Sequence, residues 1–261
     1  VEQSTYFAIA KNQSGKCRIF SDGISTKTEE FQLNEIDKKI PGDWKNYIKG
    51  VLCEIRNRGH EILPFDAGVA SDIPLSSGMS SSAAIEVSAC LAFEKFLSLN
   101  FSKIERAKIG QGAENNFVGA KTGLLDQFSS IFGKSNSLIL CDFRKNEVLR
   151  NVPTPPAYSI VVVNSMIKHN LVDSEYNTRR SQCEEAVRIL KQWLPEIKAL
   201  RDVTAEDIKN YGHHLPEVVL KRARHIVSEN ARGIAARDAL RDGQTDVFAR
   251  LMNESHDSAR D

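Results

Sequence analysis

No apolar run in this 261-residue chain comes near the roughly 20 residues a helix needs to cross a bilayer. Runs such as Ile160 to Val163 and Leu138 to Leu140 are strand-sized, so no membrane partner is expected. A charge excess is missing too: 35 Lys plus Arg face 34 Asp plus Glu, for a formal net charge of +1. Neutralising the phosphates of a nucleic acid takes a basic face, so no nucleic-acid partner is expected. Cysteine is sparse. Cys17, Cys53, Cys90, Cys141 and Cys183 are odd in number and scattered, with no C-x-x-C pair, which argues against a disulfide framework and a zinc site. A reducing, cytoplasmic setting fits. No basic start followed by an apolar run opens the chain, so the Asn-x-Ser triplets at Asn12, Asn100 and Asn253 are expected to stay unmodified. Internal repeats are absent, and the one biased tract is a serine cluster.

What is present is ordinary globular material: 41% apolar residues plus 15 glycines, enough to bury one large core or two modest ones. Alternation of apolar and polar residues about Gly15 predicts a β-hairpin over 5–20. Trp44, Tyr47, Ile48, Val51, Leu52 and Ile55 recur at helical spacing and Gly59 follows as a C-cap, so a helix is expected over 44–58. A strand over 67–73 ends at Pro74, and an apolar helix is predicted over 83–99. Further helices are expected over 102–117 and 126–132, then two strands, 137–142 and 158–164, joined through the turn at Pro153, Pro155 and Pro156. From Ser174 onward the pattern is helical, near 174–194, 204–209, 216–242 and 245–255. The fold class is therefore α+β, with a mixed front at 1–166 and a helical back at 167–261.

Chemistry concentrates in Pro74-Leu75-Ser76-Ser77-Gly78-Met79-Ser80-Ser81-Ser82-Ala83-Ala84, between a predicted strand and an apolar helix. Small residues let backbone N–H groups approach an anion, and the first turn of the helix offers unpaired amides at its positive dipole end. The segment reads as a phosphate cradle or as a serine linker, and its direct run into an apolar helix favours the cradle. A Walker loop is excluded: Phe128 stands where the first glycine before Gly133-Lys134-Ser135 would have to be.

The letters of this loop resemble motif two of the GHMP kinases, P-x-x-x-G-L-S-S-S-A, with Met79 in place of Leu. Three further stretches look like the galactokinase branch: Ala113-Glu114-Asn115-Asn116-Phe117-Val118-Gly119, Gly123-Leu124-Leu125-Asp126-Gln127-Phe128, and Asn164-Ser165 followed by Ser174-Glu175-Tyr176-Asn177 through Glu184. The similarity continues through His225 to Asn230 and Leu251 to His256, so it covers nearly the whole chain. It implies a GHMP-kinase-like two-domain fold and transfer of the γ-phosphoryl of ATP to the anomeric hydroxyl of galactose. By the resemblance, Ser76, Ser77, Gly78, Met79, Ser80, Ser81 and Ser82 bind the nucleotide, and Ser82 with Glu114 holds Mg²⁺, a hard ion that prefers oxygen. Asp126 matches the catalytic aspartate, Gly123 leaves room for the sugar, and Tyr176 matches a sugar-contacting tyrosine. Read without the family, Glu114 is a solvated carboxylate at a helix end, Asp126 a helix N-cap, and Tyr176 a half-buried aromatic. His213, His214, His225 and His256 show no metal spacing, and Arg179 and Arg180 are expected to pair with Glu184 and other neighbours.

Two family features are not found. Galactokinases carry a segment of the form R-x-N-L-I-G-E-H-x-D-Y and a glycine-rich G-G-G-F-G-G motif, and neither occurs here. The expectation is an internal portion of a longer kinase, itself nearly inactive, with a monomer as the default. Two alternatives remain: a galactokinase-like sugar and ATP sensor that binds a transcriptional regulator, and a kinase for N-acetylgalactosamine or another hexose. The unshortened Ser80-to-Ala84 run favours catalysis.

Overall fold

The structure, a computed structural model, describes residues 2–74, 77–164 and 175–260. These form two compact units, one built from 1–135, 141–149 and 161–172 and the other from 136–140, 150–160 and 173–261. The boundary expected at Met166 and the Ser165 to Ser174 stretch lie outside the described residues.

The first unit carries a four-stranded mixed sheet. β1 (Thr5–Lys11), β2 (Lys16–Ser21), β3 (Glu29–Gln32) and β4 (Phe65–Ser71) lie in the order β1-β4-β2-β3. The hairpin expected about Gly15 does not form. β4 inserts between β1 and β2, antiparallel to the first from Thr5 opposite Ser71, and parallel to the second from Arg18 opposite Asp66. Polar bonds at the open end favour this: Asp66 accepts from Asn12 Nδ2 at 2.7 Å and from Arg18 Nε at 2.7 Å. Asn12 also donates to the Lys16 carbonyl, so the residues between β1 and β2 close over the end of β4.

One sheet face is apolar, as period-2 side-chain alternation allows. Cys17, Ile19, Phe31, Phe65 and Val69 are buried there against α1 (Lys45–Asn57) and α2 (Ser81–Phe96). Phe93 of α2 is the hub, its ring 4.9 Å from that of Phe65 and 5.7 Å from that of Phe7. α1 begins and ends within a residue of the sequence expectation, and Gly59 follows at φ +87°. β4 lies two residues earlier than predicted, and α2 starts at Ser81, inside the serine cluster. α3 (Lys103–Gly112) is opened by a Ser102/Glu105 capping box and runs into a π-helical turn, Ala113–Val118. α4 is Leu125–Phe132.

β5 (Ser137–Asp142) is found as expected, but its partner is β6 (Glu147–Pro153) and not 158–164. A tight turn with Asn146 left-handed at φ 55° brings β6 back at once. Ile160, Val161, Val162 and Val163 pair in no sheet among the described residues and stay exposed. β-branched propensity alone does not make a strand where no neighbouring edge meets it.

The second unit holds the helical back: α5 (Glu175–Leu190), α6 (Ala205–Tyr211), α7 (Glu217–Arg241) and α8 (Thr245–Arg260). Its core joins Ala186, Leu190, Leu200, Ile208, Val219, Ala223 and Val227. Thr204 caps α6 with a box to Asp207. Arg180 pairs with Glu184 at 3.0 Å, and His225 Nδ1 lies 2.9 Å from the Ser258 hydroxyl. All five cysteines are free, and no described helix is long and apolar enough to cross a membrane.

Candidate active site

The serine segment turns sharply before it becomes helix. Gly78 (φ +75°) and Ser80 (φ 54°, ψ 44°) are both left-handed, and α2 begins at the next residue. Ser77 Oγ donates to the Pro74 carbonyl at 2.7 Å, which folds the loop back on its own start. The first bond of α2 runs from the Ala84 N–H to the Ser80 carbonyl at 3.0 Å, and no side chain caps its first turn. The amides of Ser81, Ser82 and Ala83 are thus the helix's orphan donors. Successive left- and right-handed residues aim such amides into one concavity, the geometry of an anion nest. Ser76 lies outside the described residues.

Glu114 sits on the π-helical turn that ends α3. Packing without side chains places that turn: a Cβ on Gly112 would come 2.4 Å from the Glu54 carboxyl carbon, and Asn116 donates to Glu54 Oε1 at 2.8 Å. Single π turns often mark functional positions. Far from a solvated carboxylate, Glu114 is 1% exposed. Its Oε2 accepts from Thr122 Oγ1 at 2.6 Å and from Gln127 Nε2 at 3.2 Å, while Oε1 is buried with no hydrogen-bond partner.

Asp126 is half-buried on the first turn of α4 and is not its N-cap, a position taken by Leu124. The loop before it is pinned through Thr122. Asn115 Oδ1 accepts from the Thr122 N–H at 2.9 Å, and Gln111 and Asn115 both donate to the Thr122 carbonyl. Gly123, next in sequence, would meet nothing within 4 Å of an added Cβ. A side chain added at this position would enter open space.

Glu86 and Gln127, both fully buried, join the two helices that carry the loop and the aspartate, with Nε2 3.0 Å from Glu86 Oε2. Glu86 is one turn beyond Ser82 and Gln127 is next to Asp126, so the second turn of α2 and the first turn of α4 meet at Glu114. Burial, and then the Glu114 charge, push the Glu86 carboxyl well above its ordinary value. Burial with the same two acids pushes the Tyr47 phenol up to about 12. Glu86, Thr122 and Gln127 went unremarked in the sequence. The available signal was an acid, Glu86, set between Ile85 and Val87 in the apolar first half of α2. Tyr176 lies on α5 in the second unit, 45% exposed.

The residues present suit a magnesium ion. Glu114 Oε1, a buried carboxylate oxygen without a hydrogen-bond partner, is a hard donor; no group of three or more His, Cys, Asp or Glu side chains that could hold a metal by themselves occurs among the described residues. A cation held by few protein oxygens and completed by phosphates and water is the usual magnesium arrangement.

The family of the GHMP kinases N terminal domain matches residues 46–134. A galactokinase of Roseiflexus sp. (strain RS-1) is 44% identical over 231 residues, covering 88% of this chain and 59% of that protein. That of Chloroflexus aggregans is 40% identical over all 261 residues, 66% of its length. This chain belongs to the galactokinase family of GHMP kinases. It spans less than two thirds of the length of these two galactokinases. The crystal structure of Lactococcus lactis galactokinase complexed with galactose matches the whole chain and 68% of its own length, with TM-score 0.90 and 29% identity. A Streptococcus pneumoniae phosphomevalonate kinase matches at TM-score 0.53 and 15% identity over 97% of this chain and 69% of its own, which is a likeness of fold alone. The α+β, GHMP-kinase-like expectation therefore stands for the galactokinase family member described here.

Proposed function

We propose that the protein transfers the γ-phosphoryl group of ATP to the anomeric hydroxyl of galactose, giving galactose 1-phosphate and ADP. What supports this reading is the bridge made by Gln127, the neighbour of Asp126: its amide bonds both Glu86 of α2, the helix that the serine loop opens, and Glu114, whose other carboxylate oxygen is buried without a hydrogen-bond partner. Identity to galactokinases along the whole chain, and the galactose complex of the Lactococcus relative, favour a hexose as acceptor. In this reading residues 1–166 form the nucleotide-binding domain and 167–261 the C-terminal domain.

The amides of Ser77 through Ser82 receive the phosphates, whose charge the helix dipole and unpaired N–H groups offset. Ser82 and Glu114 would hold Mg²⁺, which would neutralise charge on the phosphates. Asp126 accepts the hydrogen bond of the sugar hydroxyl and takes its proton as the new P–O bond forms and the bond to the β-phosphate oxygen breaks. Gly123 leaves space for the ring, and Tyr176 corresponds by the resemblance to a sugar-contacting tyrosine. With a loose transition state, much of the acceleration comes from alignment. The protein acts as a cytoplasmic monomer.

Release of ADP by the full-length protein, measured with galactose, N-acetylgalactosamine and other hexoses, tests the reading, with phosphorus NMR to locate the new ester. Galactose should give the fastest turnover and a 1-phosphate product. Absence of galactose-dependent ADP release rejects the proposal, and preference for N-acetylgalactosamine reassigns the acceptor.

A further inference from the structure

A fully buried primary amide has to use its donors inside the protein or lose their hydration without return. Gln127 uses them on two acids from two other elements: Glu86 Oε2 on α2 at 3.0 Å and Glu114 Oε2 on the π-helical turn at 3.2 Å. A single amide nitrogen thus links one oxygen of each acid. The pocket has no slack, because a Cβ on Gly110 would lie 3.0 Å from Gln127 Cγ and 3.3 Å from Glu86 Oε2. Successive helical residues point about 100° apart. An inward Gln127 therefore turns half-buried Asp126 toward the rim of the cluster. With Thr122 on the same oxygen, the amide leaves Glu114 Oε1 without a partner, as Glu86 Oε1 and Gln127 Oε1 of the same cluster also are.

We propose that Gln127 is a positioning residue for the phosphoryl transfer. It orients the Glu114 carboxylate so that Oε1 faces the cation, and it holds Asp126 in register with the loop-bearing end of α2. The inference rests on the assignment of Glu114 and Asp126 given above. Partners that orient a metal ligand typically carry about a 10- to 100-fold effect on metal affinity or activity when removed. Gln127 stands in that relation to Glu114, and it touches neither nucleotide nor sugar.

The test uses the full-length protein with Gln127→Met, which keeps the side-chain length and removes both donors, on samples shown by a cooperative melting transition to be folded. ADP affinity is measured by titration calorimetry with and without Mn²⁺, and turnover is followed as a function of Mg²⁺ and galactose. Mn²⁺ should strengthen ADP binding in the unsubstituted protein, and this gain should fall about tenfold or more in the variant. Half-maximal rate should require about tenfold more Mg²⁺ and kcat should drop, while KM for galactose holds. A folded variant with unchanged metal dependence overturns the proposal. If Gln127→Met does not fold, Gly110→Ala pushes on the same side chain from behind and should move the metal dependence in the same direction; a folded Gly110→Ala protein without that change is equally fatal. The calorimetric arm needs no turnover, so absence of galactose phosphorylation by the unsubstituted protein would strike the kinase reading alone.

Discussion

A Cβ on Gly50 of α1 would lie 2.8 Å from the Cβ and 2.9 Å from the Cα of Ala113, the residue that precedes Glu114. The helix that crosses behind the sheet thus touches the backbone from which the proposed metal ligand projects. Gly50→Ala should be destabilising even though alanine favours the helix by about 1 kcal/mol, because overpacking a filled core costs about 1–3 kcal/mol. Adding Ala113→Gly should restore part of the loss by removing one of the two clashing atoms. Chemical denaturation of the single and double variants checks this; a Gly50→Ala protein as stable as the parent removes the contact as a constraint.

Asp126 should separate chemistry from binding. It stands on α4, while the nucleotide loop leads into α2, so Asp126→Asn should lower the rate of phosphoryl transfer by about 10²- to 10⁴-fold with ADP affinity little changed. Rapid-quench turnover and calorimetry on the full-length protein measure the two quantities. A variant retaining more than about a tenth of the parent rate demotes Asp126 from proton acceptor to a group that orients the sugar.

Much of the fold was legible because its signals are local: Gly59 ends α1, and the run of small residues before an apolar helix marks the start of α2. The elements that were misread depend on distant partners. Residues 5–20 alternate as a hairpin does, yet the pairing is decided by Asp66, some fifty residues on, which collects Asn12 and Arg18. Ile160 to Val163 has strand composition and no strand to pair with among the described residues, while the plainer 147–153 pairs because a tight turn delivers it. The burial of Glu114 was invisible for the same reason: it is enclosed by Thr122, Gln127 and Glu86, from three elements.

The Glu94–Arg106 pair ties α2 to α3 through two bonds, Nε to Oε2 at 2.6 Å and Nη2 to Oε1 at 2.9 Å, with Glu94 only 2% exposed. The Arg106 hydrogen bonds hold the Glu94 carboxyl below its ordinary value. A depressed folded-state pKa means the contribution is complete above the unfolded value, near 4.3, and drains away as pH falls through the lowered one. Arg106→Met leaves a buried carboxylate without its cation, which costs about 3 kcal/mol at neutral pH. The gap between parent and variant in urea unfolding should therefore be widest at neutral pH and narrow as pH falls, first as the unpaired buried Glu94 of the variant takes up a proton and then as the lowered carboxyl of the parent does. A gap independent of pH would show that packing of the arginine stem, and not charge, accounts for it.

Ser80 distinguishes a backbone cradle from a row of hydroxyls. Its left-handed conformation (φ 54°, ψ 44°) directly before α2 turns the amides of Ser81 and Ser82 into the concavity, and no side-chain cap bond depends on its hydroxyl. Glycine adopts that conformation freely, whereas a β-branched residue there is a steric outlier, costing about 1–2 kcal/mol. If the amides receive the phosphates, Ser80→Gly should lose no more than the hydroxyl contributes, a few-fold in ADP affinity. Ser80→Val should lose tenfold or more, because relieving its strain swings the first turn's donors out of line. Calorimetric titration of the two variants with ADP reads the difference. Equal losses would mean that the phosphates are held by the Ser80 hydroxyl, and the nest would have to be given up as the reason α2 begins where it does.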